Sequence, residues 1–389
     1  MHTTSTLASG LADLFPAAWR QEANRVPRHL FTPDTVWAED GNGPVPVQRH
    51  QDPQRWLELC YEDRPLVTQL DDGEDAGRGY ITSSMSKPSI VAEMLEATDL
   101  ASGQRVLEIG TGTGWNAALV AARVGAGNVV SVEVDPVLAQ QAQRILAEQG
   151  WAVDVVTGDG LEGFAPGAPY DRVLSTAAVQ QVPYAWVAQT RPGGIILTPW
   201  GTTFNNGVLA RLTVGEDGTA SGHFTGDAAF MWVRAQRRPH AVVEDLVSPG
   251  DEYAETTTEL HPYEPIGDDD ARFAIGLVLE PGASEVLVFD DDDPTKAYTV
   301  YLLAPTSESW ASWRVEPGRR RHRVRQHGPR HLFDEVEVAY HRWVACGRPK
   351  RQDFGLTIMT SGQRVWWQDT HGVRHHTSPD RTGDARARW

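Results

Sequence analysis

A glycine-rich turn between two apolar segments is the residue pattern in this chain that most directly predicts chemistry. The apolar run Val106–Ile109 leads into Gly110-Thr-Gly-Thr-Gly114, and small apolar residues continue at helical spacing over residues 117 to 124. Glycines in such a turn let backbone N–H groups approach a ligand closely, because no Cβ stands in the way. The pattern predicts a nucleotide-type cofactor loop between a buried parallel strand and a helix.

Two acidic residues follow the loop at positions suited to a nucleoside. Residues 129 to 135 predict a second strand with Glu133 at its end, roughly 20 residues after the loop, where a carboxylate can hold ribose hydroxyls. A third segment, residues 153 to 160, carries Asp159, which is placed to hold an adenine amino group. The glycine spacing is not the G-x-G-x-x-G of dinucleotide folds, so the prediction depends on these later segments as well as on the turn.

Alternating strands and helices must position these residues. Strand-like segments also occur at residues 170 to 178 and, after a Pro-Gly-Gly turn, up to residue 199. Such alternation predicts an α/β fold with an open, mostly parallel sheet that binds ligands at the carboxyl ends of its strands.

The polar segment Ser84-Met-Ser-Lys-Pro-Ser89 precedes the loop. Its proline suits the first turn of a helix, which places Ser86 at or next to the N-cap, so Ser86 could simply cap that helix. A helix N-terminus is also a site for a carboxylate, because its N–H groups are free and its dipole is positive. Lys87 could steer a carboxylate substrate into place, or it could pair with a nearby acid such as Glu93 or Glu96.

Composition disfavours several classes of function. The chain has 389 residues and a formal net charge of −17, which argues against binding to nucleic-acid phosphates. We expect no membrane association and a cytoplasmic location, because there is no long apolar run or secretory signal. With only Cys60 and Cys346, we expect no disulfide framework and no metal site. The acidic run from Asp290 to Asp293 lacks the EF-hand spacing and predicts a solvated turn.

Several segments, in order, resemble the protein-L-isoaspartate O-methyltransferase family, whose members depend on S-adenosylmethionine. The resemblance extends over about residues 10 to 236 and is carried by residues 24–33, 60–66, 84–92, 108–115, 158–160, 168–171, 176–178 and 192–194. It implies a Rossmann-like methyltransferase sheet, S-adenosylmethionine as cofactor and S-adenosylhomocysteine as product. Where that family commonly has alanine or glutamine this chain has Lys87, and Ser89 replaces an aromatic residue or histidine.

The resemblance also implies roles for individual residues. Ser86 matches the serine tied to catalysis, and Ser84, Lys87, Ser89 and Val182 are expected on the substrate side. The residues expected to bind the cofactor are Glu108, Gly110, Thr111, Gly112, Gly114, Glu133, Asp159, Gly160 and Thr176.

Four segments are predicted along the chain. They are an N-terminal substrate-side helical segment (1–80), the methyltransferase core (81–240), a C-terminal α+β extension (241–377) and a flexible tail (378–389). Within the extension we predict strands at 273–279, 285–289 and 298–303, a helix at 333–346 and a hairpin formed by 353–359 and 363–368. Five tryptophans there could line a peptide-binding groove or form a core: Trp310, Trp313, Trp343, Trp366 and Trp367.

In its length, this chain resembles extended members of the family that are found in gene clusters for lanthipeptides, lasso peptides and graspetides. This resemblance predicts a carboxyl O-methyltransferase that methylates an Asp of a modified, macrocyclic precursor peptide, with the ester then collapsing to aspartimide or isoaspartate. We expect a monomer or a weak homo-oligomer. The alternative is a protein-L-isoaspartate (D-aspartate) O-methyltransferase that repairs aged proteins. A third interpretation is a cofactor-binding or peptide-recognition module with little catalysis.

Overall fold

The computed structural model describes residues 4–39, 43–74, 77–237, 242–279, 281–289, 296–368, 372 and 374–376. The predicted acidic turn at 290–293 and the predicted tail at 378–389 lie outside the described residues. In the described part of the chain, no helix is long and apolar enough to cross a membrane.

The N-terminal part combines helices with a small antiparallel sheet. Its helices are α1 (Thr4–Ala12), α2 (Arg20–Arg25) and α3 (Pro53–Tyr61), and its strands are β1 (Thr35–Glu39), β2 (Pro44–Gln48), β3 (Leu66–Leu70) and β4 (Ile81–Met85). The strand order is β2-β1-β3-β4, so the proline-containing β2 lies at the edge, where a missing N–H is tolerated. The segment predicted as helical over 1–80 therefore contains strands β1, β2 and β3 as well as helices, and β4 continues this sheet beyond residue 80.

The middle of the chain forms the predicted α/β unit. In order, it contains α4 (Pro88–Thr98), β5 (Val106–Ile109), α5 (Trp115–Val124), β6 (Val129–Glu133), α6 (Pro136–Glu148), β7 (Asp154–Thr157), β8 (Tyr170–Ser175), α7 (Tyr184–Ala188) and β9 (Thr190–Gly201). The five strands are parallel in the order β7-β6-β5-β8-β9. The order reverses at β5, between β6 and β8, and such a reversal opens a crevice at the carboxyl ends of the strands. The Rossmann-like fold class is confirmed.

The rest of the chain adds strands to this sheet and builds a second one. Its elements are β10 (Asn206–Val214), β11 (Ala220–Asp227), α8 (Val243–Leu246), β12 (Ala254–Thr258), α9 (Asp269–Val278), β13 (Ser284–Phe289), β14 (Tyr298–Ala304), β15 (Ser309–Val315), β16 (His322–His327), α10 (Leu332–Ala345), β17 (Phe354–Met359), β18 (Gly362–Gln368) and β19 (Arg374–His376). Strands β12 to β16 form a separate antiparallel sheet in the order β12-β16-β15-β14-β13. Strand β17 instead pairs with β11, so β17, β18 and β19 extend the central sheet to ten strands. The predicted range 241–377 therefore does not form one separate unit.

The predictions within the C-terminal region have mixed outcomes. The helix and the hairpin are confirmed as α10 and β17–β18, and strands occur at β13 and β14. The predicted strand at 273–279 is wrong, because this segment belongs to helix α9. Asp268 caps that helix by accepting hydrogen bonds from the N–H groups of Asp270 and Ala271. A short buried apolar run such as this one fits a strand or a helix equally well, and only its surroundings decide.

All five C-terminal tryptophans are buried, with exposed fractions between 0% and 8%. Trp313, for example, packs edge-on against Phe333 of α10, with ring centroids 4.8 Å apart. Phe273 of α9 contacts Trp200 and Phe224 of the central sheet in the same way. The tryptophans are core residues, and the second sheet and its helices share a continuous apolar core with the central sheet.

Candidate functional site

The cofactor loop follows β5 and requires its glycines. Gly110, Gly112 and Gly114 have φ angles of +90°, +53° and +85°, which residues with a side chain rarely adopt. Gly114 is also the N-cap of α5, where an added Cβ would lie 3.2 Å from the side chain of Leu146. Gly114 therefore shapes the loop and packs against α6. It was predicted to contact the cofactor, but it does not line the cavity at the carboxyl ends of the parallel strands.

Glu108 lies beneath this loop rather than beside a ligand. Its side chain is fully buried, and it accepts hydrogen bonds from Ser131 and from Asn116 Nδ2, the latter over 2.7 Å. Ser131 in turn shares a hydrogen bond of 2.6 Å with Thr111 of the loop. Burial raises the pKa of Glu108 to about 7, although these hydrogen bonds oppose the shift. The structure therefore does not support the predicted contact between Glu108 and the cofactor. This side chain is buried beneath the loop and supports it through Ser131 and Thr111.

A cavity opens at the carboxyl ends of the central parallel strands. It is lined by seven of the nine predicted cofactor residues: Gly110, Thr111, Gly112, Glu133, Asp159, Gly160 and Thr176. An added Cβ would lie 2.8 Å from Thr176 Oγ1 at Gly110 and 2.4 Å from Ile109 Cγ2 at Gly160. Neither position accommodates a side chain without a shift of its neighbour, so glycine backbone forms the cavity wall at Gly110 and at Gly160.

The two predicted acidic ligands are held by backbone N–H groups. Glu133 is 7% exposed, and its carboxylate accepts hydrogen bonds from the N–H of Gly112 at 2.9 Å and of Asp135 at 3.1 Å. Asp159 is exposed and accepts the N–H of Leu161 at 2.9 Å, which caps a short 3-10 helix. Both carboxylates are thereby oriented at the edge of the cavity.

An arginine that the sequence interpretation missed connects three chain segments beside this cavity. Arg234 lines the cavity, and its guanidinium lies 2.8 Å from Asp135 Oδ2 and 3.1 Å from Asp72 Oδ1. Arg237 also binds the Asp72 carboxylate through both of its terminal nitrogens. The hydrogen bond from Arg237 is the main reason that the pKa of Asp72 lies below its usual value. We call Asp72, Asp135, Arg234 and Arg237 the latch.

A second cavity of about 630 Å³ adjoins the first. Ser84, Ser86, Thr176 and Met231 line both cavities, so these residues form the boundary between them. The remainder of the second wall is largely apolar, with Lys87 and Arg64 as its charged members. The apolar residues of this remainder are Trp37, Pro65, Val67, Ile81, Ile90, Ala229 and Phe230.

Ser86 does not cap helix α4. Lys87 occupies the N-cap position, and no side-chain hydrogen bond is made from it. The N–H of Ser89 instead donates to Asp63 Oδ1 at 2.9 Å, so Asp63 satisfies the start of the helix from another loop. The Ser86 hydroxyl makes no hydrogen bond to any residue that the structure describes, and it remains available to a ligand.

The backbone of Ser86 is held by Arg28, which is fully buried. Its guanidinium donates to the carbonyls of Ser86 at 3.0 Å, Met85 at 3.3 Å and Cys60 at 3.1 Å. The same group lies 5.2 Å from the ring centre of Trp115, which follows the cofactor loop. Burial lowers the pKa of Arg28 to about 10, which leaves it charged at neutral pH. Arg28 therefore fixes Ser86 relative to the cofactor loop.

The other predicted substrate residues have different locations. Lys87 Nζ lies 3.6 Å from Asp63 Oδ2, so its partner is Asp63 rather than Glu93 or Glu96. Ser89 lines neither cavity. Val182 is 6% exposed and packs in the core of the central sheet, so its predicted contact with substrate is not supported.

No group of three or more His, Cys, Asp or Glu side chains is arranged to hold a metal ion within the described ranges. Cys60 and Cys346 are free thiols there.

Comparison with known proteins gives consistent matches. The family model for protein-L-isoaspartate (D-aspartate) O-methyltransferase matches residues 46–237. A protein-L-isoaspartate O-methyltransferase of Ignicoccus hospitalis is 38% identical over 177 residues, covering 45% of this chain and 69% of that protein. The enzyme of the same name from Pyrococcus horikoshii is 42% identical over 149 residues, covering 38% and 67% respectively.

A solved protein-L-isoaspartate O-methyltransferase aligns over 93% of this chain and 99% of its own length, with a TM-score of 0.52 and 21% identity. At that identity the match shows the fold alone. Because this alignment covers 93% of the chain, it must extend well beyond residue 237 and include parts of the second sheet and its helices.

Proposed function

Because the chain belongs to the protein-L-isoaspartate O-methyltransferase family of S-adenosylmethionine-dependent carboxyl methyltransferases, we propose that it methylates an L-isoaspartyl carboxylate in a peptide or protein. The observation that carries this proposal is the position of Ser84 and Ser86 on the boundary between two cavities. One cavity is lined by the cofactor loop, and the other has room for a peptide segment. A carboxylate bound at these serines would face both.

The residues around the first cavity fit S-adenosylmethionine, which supplies an activated methyl group when bound. Bare backbone at Gly110 and Gly112 would lie against the amino-acid part, as the loop geometry allows. Glu133 would accept hydrogen bonds from the ribose hydroxyls, and Asp159 would accept one from the adenine amino group. The latch would cover the cofactor from one side through Arg234.

The demands on the protein side are modest. An aspartyl-type carboxylate has a pKa near 4 and is ionised at neutral pH, so no general base is needed. Ser86 would donate a hydrogen bond to the carboxylate and orient it, and Ser84 would bind the neighbouring peptide group. The apolar wall formed by residues such as Trp37 and Phe230 would exclude water from the reacting groups.

A second candidate is methylation of an Asp in a modified, macrocyclic precursor peptide, with later collapse of the ester to aspartimide. The C-terminal region does not separate the two candidates, because a solved isoaspartate methyltransferase aligns over 93% of this chain. The observation that favours the second candidate is Lys87, a cation beside Ser86 where the family commonly has an uncharged residue. Its exposed pairing with Asp63 is weak enough to yield to a substrate carboxylate.

One experiment distinguishes these candidates. The full-length protein is incubated with S-adenosylmethionine and, separately, with a linear isoaspartyl peptide, the same peptide with normal Asp, and a macrocyclic Asp-containing peptide, and the masses are followed. Gain of one methyl group on the isoaspartyl peptide alone supports the first candidate. Methylation of the macrocycle alone, followed by loss of methanol, supports the second. A protein that binds S-adenosylmethionine but methylates none of the three would contradict both.

A further inference from the structure

A concentrated basic surface lies on the second sheet of a chain whose formal net charge is −17. Between residues 314 and 325 there are six arginines and a single acidic residue. Arg314, Arg323 and Arg325 lie on strands β15 and β16, and Arg319, Arg320 and Arg321 lie in the turn that joins them. We call these six residues the arginine face.

The sheet register directs three of these side chains to the same surface. Arg314 is the direct cross-strand partner of Arg323, and Arg325 follows two residues later on β16. The neighbouring pair Trp313 and Val324 is fully buried against the helices, so the alternation along each strand turns the arginines away from the core. Like charges directly opposite one another destabilise a strand pair, so the Arg314–Arg323 pair lowers the stability of the free protein.

Among the described residues, acidic side chains pair with three members of the arginine face. Arg325 Nε lies 2.8 Å from Glu255, Arg321 lies 3.4 Å from Glu259 and Arg319 lies 3.7 Å from Glu316. These pairs are exposed to solvent, and such pairs contribute about 0–1 kcal/mol each. Arg320 and Arg323 are exposed and form no ion pair with any residue in the described part of the chain. Arg320 and Arg323 therefore supply positive charge that no acid among the described residues balances.

The surroundings of the face suit a peptide. The ring of Tyr253, which is 45% exposed, lies 4.6 Å from the Arg325 guanidinium, and Thr257 lies opposite Arg323 on the edge strand β12. Arginine and tyrosine are both enriched at protein-binding surfaces. Helix α8, which precedes the edge strand β12 of this sheet, is joined to the segment before β4, because Asp245 pairs with Arg78 at 2.9 Å.

We propose that the arginine face binds an acidic segment of the peptide substrate, away from the residue that is methylated. This inference rests on the proposed function, which supplies a carboxylate-bearing peptide as substrate. Guanidinium groups bind carboxylates through paired hydrogen bonds, and a local positive field draws an acidic chain to this face. A nucleic acid fits less well, because its continuous row of phosphates would meet an otherwise acidic protein.

The test uses the full-length protein and two peptides with the same acceptor residue, one with a Glu-rich tail and one with a Gln-rich tail. At low salt, kcat/KM should be about tenfold higher for the Glu-tailed peptide, through a lower KM, as expected for a few charge-assisted hydrogen bonds. The double variant R320Q/R323Q should lose most of this advantage and keep its activity on the Gln-tailed peptide. The control R144Q/R342Q removes the same charge from exposed positions elsewhere and should retain the advantage.

Three outcomes would overturn the proposal. They are equal kcat/KM for both tails in the unmodified protein, equal losses in both double variants, or displacement of a labelled Glu-rich peptide by a short RNA at lower concentration than by unlabelled peptide. Failure of the proposed function is distinguished by the Gln-tailed peptide, which would then not be methylated at all. Binding of the labelled Glu-rich peptide, followed by fluorescence anisotropy, would still test the arginine face in that case.

Discussion

Two neighbouring residues leave the Ser86 hydroxyl available to a substrate. Asp63 binds the first turn of α4, which removes the need for a serine cap, and Arg28 holds the Ser86 carbonyl at 3.0 Å. The serine is therefore fixed through its backbone, while its hydroxyl has no hydrogen-bond partner among the residues that the structure describes. A rigid backbone with a free donor is the arrangement that orients a carboxylate at low entropic cost.

Ser86→Ala should lower kcat by about 10²-fold, because a donor that orients the reacting carboxylate is lost. The affinity for S-adenosylmethionine, measured by calorimetry, should stay the same. Ser89→Ala is the matched control, since Ser89 lines neither cavity and its variant should keep full activity. Unchanged turnover in Ser86→Ala would remove this serine from the proposed mechanism.

Glu108 predicts a pH dependence of stability. Its pKa rises from 4.5 in the unfolded chain to about 7 in the folded protein, so the folded state holds the proton more tightly. The resulting stabilisation is complete below about pH 4.5 and is lost as the pH rises to 7, by up to about 3 kcal/mol. The variant Glu108→Gln cannot ionise, so its free energy of unfolding should rise relative to that of the unmodified protein between pH 5 and 8. Denaturant unfolding at several pH values checks this, and a constant difference between the two proteins would contradict it.

At the scale of elements, the latch joins segments that are far apart in sequence. Asp72 follows β3, Asp135 follows β6, and Arg234 and Arg237 lie after β11. The loops of the N-terminal sheet are thus tied to the cofactor side of the central sheet. Because Arg234 lines the cofactor cavity, we expect these contacts to open when the cofactor enters or leaves.

Asp72→Asn should weaken the contacts to both Arg234 and Arg237 and speed the release of S-adenosylhomocysteine. We expect an increase of about three- to tenfold in the dissociation rate, because these partly exposed pairs are individually weak. Stopped-flow displacement would measure the rate. Asp245→Asn, which breaks the exposed Arg78 pair outside the latch, should leave the rate unchanged. Equal rates in Asp72→Asn and the unmodified protein would show that the latch does not control release.

At the scale of the whole molecule, the end of the chain completes the fold. Strand β17 pairs with β11 through Ala220 to His223, and α9 covers Trp200 and Phe224. Residues 81–240, which were predicted to form the methyltransferase core, therefore do not cover the edge and the apolar face of the central sheet by themselves. The second sheet and the last three strands protect an edge and an apolar face of the central sheet.

Truncation after residue 240 should consequently destabilise the protein, because it exposes the β11 edge and part of the shared core. We expect aggregation or a loss of cooperative thermal unfolding, measured by calorimetry and light scattering. Truncation after residue 376 is the control, since it keeps every strand and helix described above. A soluble 1–240 fragment with an unchanged melting temperature would contradict the shared core.

The sequence alone determined the cofactor side of this protein. Glycine spacing and strand-end carboxylates are local patterns, and parallel strands bring their carboxyl ends to one edge, so seven of nine predicted cofactor residues line the cavity. The same local reasoning identified α10 and the β17–β18 hairpin. It did not reveal that Glu108 and Gly114 face inward, because burial depends on what packs against a strand or a loop.

Only the tertiary structure decided the substrate side. Asp63, in the loop between α3 and β3, binds both the Ser89 backbone and the Lys87 side chain. Arg28 holds the backbone of Ser86, and Arg234 pairs with Asp135, which follows β6. The helical state of α9 and the return of β17 to the central sheet depend on equally distant segments. These contacts join residues tens to hundreds of positions apart, and neither residue type nor spacing specifies which distant groups will meet.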